Sequence, residues 1–233
     1  MQKGKKRTGN QEQEDHSQKA YKGIRRMLYY KDLVPGQKIS GRDVAERLNM
    51  SLTPVIQALK FLEFQGFIHH KPNRGYYMTP FRLEELEEIY ELRELLEPHL
   101  VPFAIKHLDG EGKKRLRATL REHRSAGKEK YPLERLFKNK EFHLSLASLS
   151  HKSTEINVLR NIFDILFLKY GGNHGPVEPM ALSEDEHEKI FECVVSGDEH
   201  GAKKLLTRHI VNVKHLVLER FRKILERKDV PEL

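Results

Sequence analysis

Apolar residues recur at helical spacing near the N-terminus, at Ala20, Ile24, Met27 and Leu28. Intervals of three and four residues place these side chains on one face, so the pattern predicts an amphipathic helix. Residues 1–16, which precede it, are polar and lack apolar periodicity, and we predict a disordered basic tail there. A Pro-Gly pair within residues 33–36 ends the helical pattern, and residues 38–39 are expected to form a short extended link.

Two shorter helices and a hairpin are predicted to follow. Ser40 and Ser51 each precede a helical pattern and are placed to cap it, and Pro54 is tolerated because first-turn amides have no partner within a helix. Gly66 is placed to end the second of these helices. Two short runs suited to strands then flank a basic turn, which predicts a β-hairpin. Residues 17–80 are therefore predicted to form a winged helix-turn-helix domain; a three-helix domain that binds no DNA is the alternative.

From Leu83 onward the apolar pattern is helical, without a convincing strand. The predicted helices are Leu83–Leu108, Lys113–Ala126, Leu133–Leu149, Thr154–Tyr170, Ser183–Val195 and Asp198–Lys228. Pro98 and Pro102 should kink the first of them, and residues 171–176 are predicted to form a loop. The fold class is thus mainly α, with residues 81–233 forming an antiparallel bundle of six or seven helices. The interior of such a bundle is where ligand sites form.

Length and charge support this division. The chain has 233 residues, enough for two domains that each bury a core. Its formal net charge is +8 at pH 7, and residues 1–80 carry all of this excess, with 15 Lys and Arg against 7 Asp and Glu. Such an excess is typical of a domain that binds a polyanion, although the basic tail supplies half of it and could serve solubility alone.

Two further features bear on location. No apolar run approaches the roughly 20 residues that span a bilayer, so no membrane association is expected. The single cysteine, Cys193, excludes an internal disulfide framework and fits a reducing compartment. We therefore expect a cytoplasmic protein.

Candidate DNA contacts cluster where a helix-turn-helix touches bases, at the N-terminal end of its second helix. They are Ser51, Leu52, Thr53 and Gln57, with Arg42 on the preceding helix and Lys71, Arg74 and Gly75 on the hairpin. Thr53 is able to bond a phosphate or a base edge, and Gln57 to pair with adenine. Leu52 and Ile56 offer only apolar contacts, for example with a thymine methyl group. Ile56 is equally suited to face the domain core or a neighbouring element.

Most of the 13 histidines need no functional explanation, and His123 is among those in polar sequence surroundings. His143, His187 and His209 differ because each lies on a separate predicted helix beside apolar residues. Asn139 precedes His143 by one helical turn, so both side chains share a face. Three imidazoles and an amide oxygen could hold a divalent cation with positions open for water or a ligand. Dispersed histidines are weak evidence by themselves.

The segment from Ala20 to Pro80 resembles the DNA-binding domain of the GntR superfamily of bacterial transcription regulators. The family pattern S-R-T-P-V-R-x-A-L is matched by SLTPVIQAL from residue 51 to 59, and a wing ending in R-G is matched at residues 74–75. The resemblance implies a winged helix-turn-helix that reads operator DNA. Because Leu52 and Ile56 replace both arginines of the family pattern, we expect an operator unlike the usual one.

The C-terminal part resembles the FCD effector domain of the FadR branch of that superfamily. Its R-x-x-x-E-P, F-H and E-H-x-x-I motifs are matched at residues 93–98, 142–143 and 186–190. In many family members an Asp and three His bind a metal, commonly zinc or nickel, and a small carboxylate effector completes the coordination. The resemblance implies a divalent metal at Asn139, His143, His187 and His209. Asn139 stands where the family has Asp, which should weaken cation binding and favour an anionic effector.

Arg93 is placed near the effector by the family pattern alone, and a structural salt bridge is the alternative. Together these features predict a ligand-responsive repressor that binds a palindromic double-stranded DNA operator as a homodimer. Effector binding is expected to shift the placement of the two reading heads. A nucleoid-type protein without sequence preference is one alternative, because phosphate contacts would survive the loss of both arginines. A metal-dependent hydrolase is another, because a metal with an open position activates water.

Overall fold

A computed structural model describes residues 15–30, 32–126, 132–170 and 180–226. The described chain is mainly helical and divides into two compact units. One unit contains the first helix as far as Met27 together with Gln37–Thr79, and the other contains Leu28–Gly36 and the described residues from Pro80 onward. Most of the predicted basic tail and the predicted loop at residues 171–176 lie outside the described residues. No helix within the described ranges is long and apolar enough to cross a membrane.

The N-terminal part combines helices with a small antiparallel sheet. The helices are α1 His16–Tyr29, α2 Gly41–Arg47 and α3 Leu52–Phe64, and the strands are β1 Lys38–Ile39, β2 Ile68–Lys71 and β3 Gly75–Met78. The strand order is β1-β3-β2. Lys38 and Ile39, expected to form only a link, pair with Tyr77 and Tyr76 as the first strand of the sheet. The β2–β3 wing is therefore attached to the segment that leads into α2.

The helix ends in this unit show the capping that the sequence predicts, with one exception. The Ser40 hydroxyl accepts a hydrogen bond from the Asp43 amide at 3.2 Å, which caps α2 as predicted. Gly66 follows α3 with φ of +80°, a conformation that glycine adopts without steric cost. Ser51 occupies the N-cap position of α3, but its side chain makes no capping hydrogen bond, so that predicted bond is wrong.

The described part of the C-terminal unit is a helical bundle. Its elements are α4 Leu83–Lys106, α5 Gly110–Ala126, α6 Pro132–Ser148, α7 Ser153–Ile165, a π-helical turn Leu166–Tyr170, α8 Met180–Ser196 and α9 Glu199–Glu226. α4 continues as one helix through both Pro98 and Pro102. It packs mainly along α9, while α5 packs on α6 and α8 packs on α9. The helix predicted as Thr154–Tyr170 is α-helical only as far as Ile165, and its last turn is π-helical.

Apolar side chains from every helix of this unit form its core, among them Leu86, Leu116, Phe142, Phe163, Phe191, Leu206 and Phe221. The same interior also buries polar and charged side chains, including Arg93, Glu97, Asn139, His143, His187 and His209. Burying such groups is costly unless they are hydrogen-bonded or ion-paired. The residues that hydrogen-bond or ion-pair with these buried groups therefore identify the candidate functional site.

Candidate functional site

Three helices bring His143, His187 and His209 together inside the bundle. His143 lies on α6, His187 on α8 and His209 on α9, and none is more than 1% exposed. The Nε2 atom of His187 is 3.3 Å from Nε2 of His143 and 3.1 Å from Nε2 of His209. The three potential ligand atoms all lie within 4.8 Å of one another. The sequence placed these residues on separate helices, and the helix packing brings them to one point.

Two carboxylates lie behind this cluster. Glu97 of α4 is 2.5 Å from Nδ1 of His143, and Glu186 of α8 is 2.7 Å from Nδ1 of His209. An ionised carboxylate only accepts hydrogen bonds, so each contact calls for a hydrogen on Nδ1, which leaves a lone pair on Nε2 of a neutral ring. Carboxylates in this position commonly orient metal-binding histidines. Glu97 and Glu186 were not among the predicted site residues.

The resulting protonation pattern suits a cation. The Nε2 lone pairs of His143 and His209 both face Nε2 of His187. That atom carries at most one hydrogen, so it can donate a hydrogen bond to only one of the two lone pairs. Zn–N bonds of about 2.0–2.1 Å place cis ligand nitrogens roughly 2.9–3.4 Å apart. The distances from Nε2 of His187 to Nε2 of His143 and of His209 both fall in that range. The buried triad could therefore bind a metal ion.

Electrostatics favour neutral imidazoles at His143 and His187 and an ionised Glu97. Burial opposes ionisation of Glu97, but the nearby Arg93 and His143 outweigh it and lower its pKa to about 2. Burial lowers the pKa of His143 despite the opposing effect of Glu97. The pKa of His187 is lowered further below its ordinary value, first by burial and then by repulsion from His209 and His143. Neutral imidazoles are the form that coordinates metals.

His123 was expected in polar surroundings, and that expectation is wrong. Its ring is completely buried on α5 and packs edge-on against His187, with ring centroids 4.7 Å apart. A fourth histidine therefore lies behind the triad. Nδ1 of His187 has no hydrogen-bond partner among the described residues. The helical stripe Leu116, Leu120 and His123 was the sequence signal for this burial.

Asn139, on the same helix as His143, lines a cavity. It lies one turn before His143 on α6, is 4% exposed, and its Oδ1 atom has no hydrogen-bond partner within the described structure. A cavity of about 20 Å³, enough for roughly one water, is lined by Asn139, Arg93, Lys140, Tyr90 and Tyr170 together with apolar residues. An orphaned buried acceptor is costly unless something occupies the space that it faces.

Arg93 forms a buried ion pair and also lines that cavity. Its Nε atom donates to Glu97 at 2.6 Å, and its guanidinium lies 4.5 Å from the ring centre of Phe163. The salt bridge that the sequence left as an alternative is therefore present. It connects Arg93 through Glu97 to His143.

The predicted DNA contacts on the helix pair lie at the start of α2 and in the first turns of α3. Arg42, Ser51, Thr53 and Gln57 are exposed, and Leu52 is 42% exposed. Ser17 of α1 donates a hydrogen bond to Oε1 of Gln57. Sequence reasoning did not identify Ser17, because its partner lies 40 residues away.

The other predicted contacts lie on the wing. Lys71 ends β2, Arg74 is exposed in the turn, and Gly75 begins β3 with φ of +94°. The Lys71 ammonium is 4.9 Å from the ring centre of Tyr77, a cation–π contact that holds it along the wing.

Comparison with known proteins identifies both parts of the chain. The profile of the FCD domain matches residues 88–212, and that of bacterial regulatory proteins of the gntR family matches residues 16–78. The uncharacterized HTH-type transcriptional regulator YdhC of Bacillus subtilis (strain 168) is 27% identical over 210 residues, which cover 85% of this chain and 91% of YdhC. The Nta operon transcriptional regulator of Aminobacter aminovorans is 28% identical over 186 residues, or 79% and 86% of the two chains.

A solved structure supports the fold. E. coli McbR/YncC superposes with a TM-score of 0.76 at 19% identity, covering 89% of this chain and 99% of that one.

The matched profiles and the named relatives belong to DNA-binding regulators rather than enzymes, which removes the hydrolase alternative. The chain belongs to the GntR family of bacterial transcription regulators, with an N-terminal GntR helix-turn-helix and a C-terminal FCD domain of the FadR subfamily.

Proposed function

We propose that this regulator senses a small carboxylate at a divalent metal held by His143, His187, His209 and Asn139. Residues 17–80 bind the operator, and residues 81–233 form the effector-binding and dimerisation domain. The regulator acts in the cytoplasm as a homodimeric repressor on a palindromic operator. The observation that carries the sensing function is the convergence of the three buried Nε2 atoms, two of them backed by carboxylates.

The donor set favours zinc or nickel, because both metals accept imidazole nitrogen readily. The unpartnered Oδ1 of Asn139 is the fourth donor that this proposal needs. A ligand set of three imidazoles and one amide is neutral, so the bound ion keeps its full positive charge. The ion would supply that charge and an open coordination position to an anionic effector. Arg93 lines the adjacent cavity, and its guanidinium, paired with Glu97 through Nε, is placed to contact an anionic effector there.

The cavity limits what binds without rearrangement. Its volume of about 20 Å³ is far below the roughly 300 Å³ of ordinary ligand pockets, so an effector has to displace side chains. We propose that this displacement couples the site to DNA. The effector then changes operator affinity, and operator DNA changes effector affinity by the same factor.

Metal analysis of the purified protein tests the sensing site. We expect about one equivalent of zinc or nickel per chain after loading, and loss of that equivalent in His143→Ala. His107→Ala is the matched control, because His107 is an exposed histidine at the end of α4. Absence of uptake by the wild-type chain, or equal uptake by His143→Ala, would overturn the metal site without touching the DNA-binding assignment.

Selection of bound fragments from random and genomic DNA at physiological salt tests the operator. A dimeric regulator enriches discrete sites with two-fold symmetry, because two reading heads contact half-sites about one helical turn apart. Uniform coating would instead support the nucleoid-type alternative. Adding candidate carboxylates to the bound complex then shows whether the effector releases the protein from DNA or strengthens its binding.

A further inference from the structure

We propose that Leu52 and Ile56 form, over Gly41, an apolar patch that reads thymine methyl groups in the major groove. This inference rests on the DNA-binding function of the family and is independent of the metal site. It concerns the two positions at which this chain departs most from the GntR recognition pattern.

The two side chains act as one surface. Leu52 begins α3 and Ile56 follows one turn later, so both lie on the same helix face. Leu52 is 42% exposed, whereas Ile56 is only partly buried and does not enter the core with Val55 and Leu59. The Cδ1 atom of Ile56 faces Gly41 of α2 together with Cδ1 of the buried Leu59, so Ile56 packs against a neighbouring element and is only partly exposed. The N-terminal turn of this helix is the part that approaches bases in helix-turn-helix proteins.

Gly41 shapes the floor of the patch. A Cβ atom at this position would lie 3.2 Å from Cδ1 of Ile56 and 3.4 Å from Cδ1 of Leu52. Both branched ends therefore converge on the first residue of α2, where the absence of a side chain leaves room for them. Two separate apolar residues thus become one continuous surface supported by the backbone of the preceding helix.

The chemistry of the major groove decides which base suits this surface. Thymine presents a C5 methyl group there, whereas guanine, adenine and cytosine present mainly hydrogen-bond donors and acceptors. Leu52 and Ile56 cannot bond those polar edges, and covering them without a partner is costly. The polar neighbours Thr53 and Gln57 are exposed beside the patch and remain available for phosphate or adenine contacts. The preferred half-site therefore contains a thymine opposite the patch.

Replacement of thymine by uracil removes only the methyl group and so isolates the contact. After selection of the preferred site, each thymine is replaced singly by uracil and the dissociation constant is measured for wild-type protein and Leu52→Ala. For the wild type we expect one position per half-site to lose about fourfold in affinity, the factor that burial of one methyl group provides. Leu52→Ala is expected to bind the thymine and uracil duplexes with nearly equal affinity.

Two further variants make the result specific. Arg74→Ala removes an exposed wing cation and should weaken binding to both duplexes by the same factor, so the methyl effect persists. Leu52→Arg should lose the methyl effect and select guanine at that position, because arginine pairs with O6 and N7 of guanine. Thermal unfolding of each variant verifies that it folds. The proposal fails if all uracil substitutions are neutral for the wild type, or if Leu52→Ala remains as methyl-sensitive as the wild type.

Discussion

Replacement of Glu97 by glutamine should damage both the stability of the helical unit and the proposed metal site. Glu97 is 4% exposed and contacts the Arg93 guanidinium at 2.6 Å and Nδ1 of His143 at 2.5 Å. Its pKa of about 2 means that the carboxyl is ionised at neutral pH. Glutamine keeps the size of the side chain but removes its charge. The substitution therefore removes the carboxylate that pairs with Nε of the buried Arg93.

The expected loss follows from that geometry. Removing one partner of a buried ion pair costs about 3–5 kcal/mol of unfolding free energy. For a domain of this size each kcal/mol lowers the melting temperature by about 2–4 °C, so we expect a decrease of roughly 6–20 °C. Loss of the carboxylate behind a ligating histidine should also lower metal affinity by about 10–100-fold.

Glu186→Gln separates the two effects. Glu186 contacts Nδ1 of His209 in the same way, but its side chain is 14% exposed, and among the described residues its hydrogen-bond partners are His209 and Asn212 rather than a buried arginine. We expect a comparable loss of metal affinity with a change in unfolding free energy of less than about 1 kcal/mol. Denaturant unfolding of the metal-free proteins and metal titration against a competing chelator measure both quantities. A metal-free Glu97→Gln protein as stable as the wild type would refute the buried ion-pair argument, and unchanged metal affinity in both variants would refute the role of the carboxylates.

Three further outcomes are expected. His143→Ala should abolish metal binding while the protein retains affinity for its selected DNA in the absence of effector, as measured by metal analysis and gel shift. Arg74→Ala should reduce the slope of log affinity against log salt concentration by about 0.9, because one phosphate contact is lost; an unchanged slope would show that Arg74 does not meet a phosphate. Ser17→Ala should leave non-specific DNA affinity unchanged but weaken the preference for adenine opposite Gln57, because the amide is no longer oriented; equal preference in a repeated selection would contradict this.

Much of the fold was predictable because it depends on relations within a few residues. The stripe from Ala20 to Leu28, the cap at Ser40 and the glycine after α3 each follow from local spacing and backbone preference. The pairing of Lys38 and Ile39 with β3 was not predictable, because two extended residues do not indicate partners that lie 39 and 37 residues further along the chain. The π-helical turn at the end of α7 also escaped prediction, since its apolar spacing resembles that of an ordinary helix.

The candidate metal site was only partly predictable from the sequence. Motif spacing singled out Asn139, His143, His187 and His209, but the partners that give the cluster its chemistry were missed. Glu97 lies 46 residues before His143 in the chain, and Glu186 lies 23 residues before His209. Such distances carry no periodic signal, and only the rotation and crossing of the helices determine which side chains meet.

The sequence by itself determined the family, the helical class, the concentration of positive charge near the N-terminus and the replacement of two arginines by Leu52 and Ile56. These features are carried by residue types and short spacings. Only the tertiary structure decided that three Nε2 atoms converge, that His123 is buried behind them and that Leu52 and Ile56 meet above Gly41. The physical reason is that each of these contacts joins different helices, whose relative rotation depends on the packing of the whole unit.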